Sequence, residues 1–166
     1  LYTVQMLGRA ELIDDEGAVF VATHHLEGSR PAKALPHLDR ALERLERTHQ
    51  PDRALRLGER AVGGEGLLEP RKRLGVQLAM VRQLESLGRR EREEDILVEA
   101  LAAAEAMGVP LLLARVRMHL GGLRWVSGKV EEARPLLDAA LEVAEQHGDR
   151  SLEGSCVNYI ANLLMA

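Results

Sequence analysis

The sequence predicts an all-α fold of stacked helical hairpins, and three observations predict it. Glycine and proline cut the chain into segments of helical length, and no window alternates apolar and polar residues as a strand does. Features recur at a 39–40 residue period: Gly88 and Gly128 lie 40 residues apart, as do Ala100 and Ala140. Such a period marks stacked supersecondary units. Apolar residues make up 46% of the chain but aromatics only 2%, so a core must be Leu, Ala and Val, which suits close helix–helix contact.

Asp14-Asp15-Glu16 predicts an N-cap and acidic first turn for a helix to about Leu26, because carboxylates there meet free amides and the positive dipole end. Gly28-Ser29 breaks it, and Pro31 opens a second helix to about Arg47. A third runs from Pro51 to about Val62 and closes at Gly63-Gly64-Glu65-Gly66, read as a hinge or linker. Pro70 to Leu87 follows, with Leu74, Leu78, Val81 and Leu84 spaced by three and four. Then come Arg92–Met107, Leu111–Val126 and Val130–His147, ended by Gly108, Gly128 and Gly148, and a last helix capped by Ser151.

Small residues recur seven apart in second helices, Ala54 with Ala61 and Ala133 with Ala140, where they let a neighbouring helix approach. Glu93 breaks this pattern, so the turn there is splayed or the register shifts by one. The phrase Ala34–Glu43 returns as Ala133–Glu142. Pro36 and Pro135 predict a mild kink or a delayed helix start. Because Ala34 and Ala54 both claim the second-helix role, one helix of the N-terminal third is expected to be irregular.

The chain is long enough, at 166 residues, for one domain over 1–166, with repeats at about 31–66, 67–108 and 109–148 and a half repeat at 149–166. Residues 1–30 are open to two readings, the tail of a preceding domain or part of the array. The start, Leu1-Tyr2-Thr3, reads as a segment cut from a longer protein. A net charge of -4 with both signs interspersed argues against a nucleic-acid partner. No apolar run approaches membrane-spanning length. Cys156 is the single cysteine, which excludes an internal disulfide and favours a cytoplasmic setting.

Leu120-Gly121, Gly128, Ala133, Leu137 and Ala140 resemble the consensus of the tetratricopeptide repeat. The resemblance covers roughly residues 31–166, with a longer period than the usual 34. Arg117 and Arg124 stand where that motif prefers aromatics. The run Ala22-Thr23-His24-His25-Leu26-Glu27-Gly28, with Ala34, His37, Ala41, Arg60 and Ala61, resembles the repeat region following the ATPase module of bacterial STAND-type regulators and multidomain Ser/Thr kinases. That resemblance implies a sensor or scaffold arm, with ATP-binding and output domains elsewhere in a parent chain.

Constellations of chemical interest are few. His24-His25 suggests a metal site, but adjacent helical residues diverge and no ligand stands four away in the His-Glu-x-x-His manner, so core or helix-end histidines are expected. Arg89–Asp95 reads as a solvated, charged helix start. No nucleophile or acid–base pair converges in sequence, so the expectation is no enzyme, no cofactor and no metal. Asn158 and Asn162 share one face of the last helix, where amides need partners. Registered on Leu120-Gly121, they match Met118 and Gly122 one repeat earlier and Leu78 and Arg82 two earlier. The tetratricopeptide resemblance implies that asparagines at such positions grip a peptide backbone, so the expected site is a concave groove lined by Leu78, Arg82, Arg115, Met118, Trp125, Asn158 and Asn162. The alternative is that the amides cap neighbouring carbonyls or face a further repeat.

The expected function is a protein–protein interaction scaffold of a larger cytosolic signalling protein, binding a peptide, a partner domain or another domain of the parent. The alternatives are a ligand- or peptide-sensing regulator and a homodimer through the C-terminal helix. The dimer reading rests on Leu152, Cys156, Tyr159, Ile160, Leu163 and Leu164, which no later helix covers.

Overall fold

The computed structural model describes residues 14–165; the first residues of the 1–30 segment lie outside that range. The described residues form eight α-helices and one short 3-10 turn, and no strand. In order they are α1 (Asp15–Glu27), the turn Pro31–Ala34, α2 (Leu35–Arg47), α3 (Pro51–Gly63), α4 (Pro70–Leu87), α5 (Arg90–Met107), α6 (Pro110–Val126), α7 (Val130–His147) and α8 (Arg150–Leu164). The chain divides into two compact units, the first ending at Gln83 and the second starting at Leu84.

Four glycines spaced by twenty residues set the turns. Gly88, Gly108, Gly128 and Gly148 all have φ between 62° and 76°, a left-handed conformation that a Cβ disfavours. Each turn returns an amide to an orphan carbonyl, as when the Lys129 N–H donates to the Arg124 carbonyl at 2.8 Å. The turn between α2 and α3 does the same without glycine. His49 takes φ 52° there, and the Gln50 N–H donates to the Leu45 carbonyl at 2.9 Å.

His49 lies 39 residues before Gly88, so α3, α5 and α7 are equivalent helices. Ala54, Glu93 and Ala133 are all buried at matching positions, as are Ala61, Ala100 and Ala140. The register therefore holds through the middle repeat, and Glu93 is buried in it rather than solvated with the rest of Arg89–Asp95. The Ala34 and Ala133 phrases are not structural equivalents. Pro36 stands at the start of α2, behind the 3-10 turn that delays the helix, whereas Pro135 lies inside α7. That 3-10 turn is the irregularity expected in the N-terminal third.

The caps follow from carboxylates. Asp14 caps α1 by accepting from the Gly17 N–H at 2.7 Å. The last helix is capped by Asp149, which accepts from the Leu152 N–H at 3.1 Å, and not by Ser151. Gly148 ends α7 so abruptly that the next residue already has Ncap geometry, and Ser151 falls inside α8.

In the first unit, α1 packs on α2 and α3 through Ala18, Val19, Ala22, Leu38, Leu45 and Leu57. Gly58 lets α3 approach α4, since a Cβ there would lie 2.6 Å from Met80 Cγ. In the second unit, α6 packs on α5 and α7, and α7 on α8. Gly121 is the close point of this unit: a Cβ would lie 2.7 Å from Leu137 Cγ and 3.3 Å from the Ala133 carbonyl oxygen. The Leu120-Gly121 step thus has a steric cause. Arg124 bridges α5 and α7, donating to Glu94 at 2.5 Å and meeting Glu132 at 3.1 Å.

Candidate functional site

The residues expected to line a groove divide between the two units. On α4 of the first unit, Leu78 is buried, and Arg82 lies against Glu46, donating to both of its carboxylate oxygens at 2.8 and 2.9 Å. That ion pair holds the Glu46 carboxyl below the usual carboxylate range. Both side chains have structural partners within their own unit.

In the second unit, Met118 is buried in the core formed with Ala133, Leu137, Leu152 and Cys156. Its part is packing, because the side chain points into the α6–α7–α8 interior. Arg115 reaches the helix cap, donating to Asp149 at 2.8 Å. The Leu152 amide and Arg115 together lower the Asp149 carboxyl. Trp125 is half-buried and meets Tyr159 edge-on, with ring centroids 6.2 Å apart. The Tyr159 hydroxyl donates to Glu85 at 2.7 Å, and burial together with this carboxylate raises the phenol above its ordinary range. Gly122 makes room for that ring, since a Cβ there would lie 2.7 Å from it.

Asn158 is exposed and Asn162 half-buried, one helical turn apart on α8. Among the described residues neither side-chain amide has a hydrogen-bond partner, and so they cap no neighbouring carbonyl there. The apolar face of α8 is largely covered: Leu152, Cys156 and Leu163 are buried against α6 and α7, with Tyr159 and Ile160 packed on the same cluster. The preceding helices supply the cover that sequence reasoning sought from a later one. The large apolar side chains exposed at this end are Val157 and Leu164 of α8 and Met165 just past it. Burial also pushes the Cys156 thiol up to about 11, far from the range of a reactive thiolate.

The first unit holds a cleft that sequence reasoning did not assemble. The C-terminal half of α1, the 3-10 turn and the start of α2 enclose about 640 Å³. His24 and His25 of α1 face it together with His37 of α2, and Arg30 and Lys33 complete its polar wall. Tertiary packing thus brings His37 to the histidine pair. Even so, no group of three or more His, Cys, Asp or Glu among the described residues could hold a metal ion. Burial lowers the His25 pKa, and the positive charges of His24, Lys33, His37 and Arg30 lower it further. The signal that could have found this cleft is the density of basic residues between His24 and His37 with no acid except Glu27, which is turned away to Arg60.

No protein-family model matches the chain, and no curated protein matches it. Among the described residues, no helix is long and apolar enough to cross a membrane.

Proposed function

We propose that this chain is a protein-interaction module, an α-solenoid of tetratricopeptide-type hairpins that serves a larger cytosolic signalling protein without catalysing a reaction. The observation that carries the reading is the pair of amides on α8 that have no hydrogen-bond partner among the described residues. Asn158 and Asn162 each offer donors and an acceptor, one turn apart, near the Trp125–Tyr159 aromatic pair. Amides at that spacing match the donors and acceptors of an extended peptide backbone, and an aromatic pair beside them supplies apolar contact area. The twenty-residue rhythm of left-handed glycine turns supports a repeat array, and such arrays recognise partners by shape over an extended surface.

The test is a random peptide library panned against the protein, followed by calorimetric titration of the selected peptide. Asn158→Ala with Asn162→Ala should weaken binding about tenfold or more, because two backbone-directed contacts are lost. Unchanged affinity in the folded double variant sinks the reading.

A further inference from the structure

The walls of the cleft in the first unit differ in kind from the rest of that unit's surface. The acids of α1 are paired: Asp15 with Arg40 and Arg47, Glu16 with Arg44, Glu27 with Arg60. Glu16 and Glu27 line an adjoining groove with Phe20 and His24, but neither carboxylate belongs to the cleft wall. The cleft wall carries two permanent cations and three imidazoles and no carboxylate. Among the described residues, neither Arg30 nor Lys33 has an ion-pair partner. Across from them lie Phe20, Val21 and Pro36. Phe20 is 59% exposed, although its ring stacks on His24 at 6.0 Å with the planes 5° apart. An aromatic ring left open beside a concentration of unmatched positive groups is costly for stability alone. The volume falls in the range of small-molecule sites, roughly 300–1,000 Å³.

We propose that this cleft binds a small phosphorylated molecule, its phosphoryl group held by Arg30, Lys33 and the histidines and its planar or apolar body laid against Phe20, Val21 and Pro36. A carboxylate carries one charge and is satisfied by one guanidinium. A phosphate monoester carries nearly two at neutral pH and offers three acceptor oxygens, which matches a wall of several donors from three successive elements. The site is separate from α8 and goes beyond peptide binding.

The bound anion also acts on His25. Its imidazole is held low by burial and by the positive groups of His24, Lys33, His37 and Arg30. No residue of the neighbouring α3 belongs to this wall; its Arg53 lies beside Phe20 and His24 in the adjoining groove, and its Arg60 is held by Glu27. A phosphoryl group among these cations reverses the local field and raises the His25 pKa.

The test is titration of the full chain with phenyl phosphate at low salt, read by calorimetry and by the imidazole resonances, with benzoate and phenol as parallel arms. Phenyl phosphate should saturate the site, bind more tightly than benzoate, and raise the His25 titration midpoint, while phenol should not bind. Arg30→Ala with Lys33→Ala, both exposed positions, should weaken phenyl phosphate about tenfold or more through loss of two charge-assisted contacts. Arg30→Lys with Lys33→Arg should retain most of the binding. Failure to saturate, benzoate binding as tight as phenyl phosphate, or full affinity in the folded double alanine variant would each overturn the proposal.

Discussion

Glu93 offers the sharpest test of the packing described above. It occupies the position that Ala54 and Ala133 fill in the equivalent helices, is only 2% exposed, and leaves its Oε2 buried without a hydrogen-bond partner among the described residues. Burial, and secondarily the Glu85 carboxylate, push its carboxyl up to about 7, against a smaller pull from Arg90. In the unfolded chain the group titrates near 4.5. Between those values the native state holds a proton that the unfolded state has released. The contribution of Glu93 is therefore fully present below about pH 4.5 and is lost as pH rises through about 7, a change of about 3 kcal/mol.

The perturbation is Glu93→Gln, which keeps the shape and removes the titration. Urea unfolding of both proteins at about pH 5 and about pH 8 should show the wild type losing about 2.5 kcal/mol relative to the variant across that interval. Every other titrating group is common to both proteins and cancels in the difference. Glu93→Ala should lose packing at every pH and show the same flattening relative to wild type. Parallel stability profiles for wild type and Glu93→Gln would refute the reasoning, because they would mean that the carboxylate is solvated or paired in the native state.

Two further predictions follow from backbone geometry. His49→Gly should stabilise the first unit by about 0.5–1 kcal/mol in urea unfolding, since φ 52° strains any residue with a Cβ and the gain exceeds the added unfolded-state entropy; a loss of stability would mean that the imidazole contributes more than the backbone strain costs. Within the second unit, Gly154→Ala on the open face of α8 should gain about 0.5–1 kcal/mol from helix propensity. Gly121→Ala should instead lose about 1–2 kcal/mol, because Leu137 and the Ala133 carbonyl leave its Cβ no room. Equal effects at the two glycines would remove the steric account of the Leu120-Gly121 step.

Much of the helical layout was legible because local chemistry decides it. Pro70–Leu87 and Val130–His147 are bounded by proline or by left-handed glycine turns, and such signals act without tertiary help. The failures share the opposite cause. His49 makes a glycine-type turn with a residue that carries no glycine signal, so the frame of the first hairpins is hidden in the sequence and the Ala34 phrase competes with Ala54 for the second-helix role. Glu93 sits in a charged run whose composition says solvent, and only the packing of equivalent helices puts it inside. Asp149 displaces Ser151 as cap because α8 starts at Arg150, directly after the Gly148 turn, two residues before a Ser151 cap would start it.

The two sites were unequally legible for a related physical reason. Asn158 and Asn162 lie on one helix, so their spacing alone puts them on a common face, and the pair was visible in the sequence. The cleft of the first unit needs α2 to return against α1, bringing His37 and Lys33 back to His24 and His25 across the Gly28–Arg30 turn. Spacing along the chain says nothing of that return, and a search for metal ligands at helical intervals looks past it. The feature that was readable is negative: the acids of α1 cluster at its first turn and at Glu27, leaving the intervening face to Phe20 and the histidines. Once those acids are paired with Arg40, Arg44, Arg47 and Arg60, the cations around the 3-10 turn have no counter-charge within their own wall. A fold that pairs the acids of α1 with arginines and leaves five basic groups facing one cavity whose wall holds no carboxylate has a place for an anion.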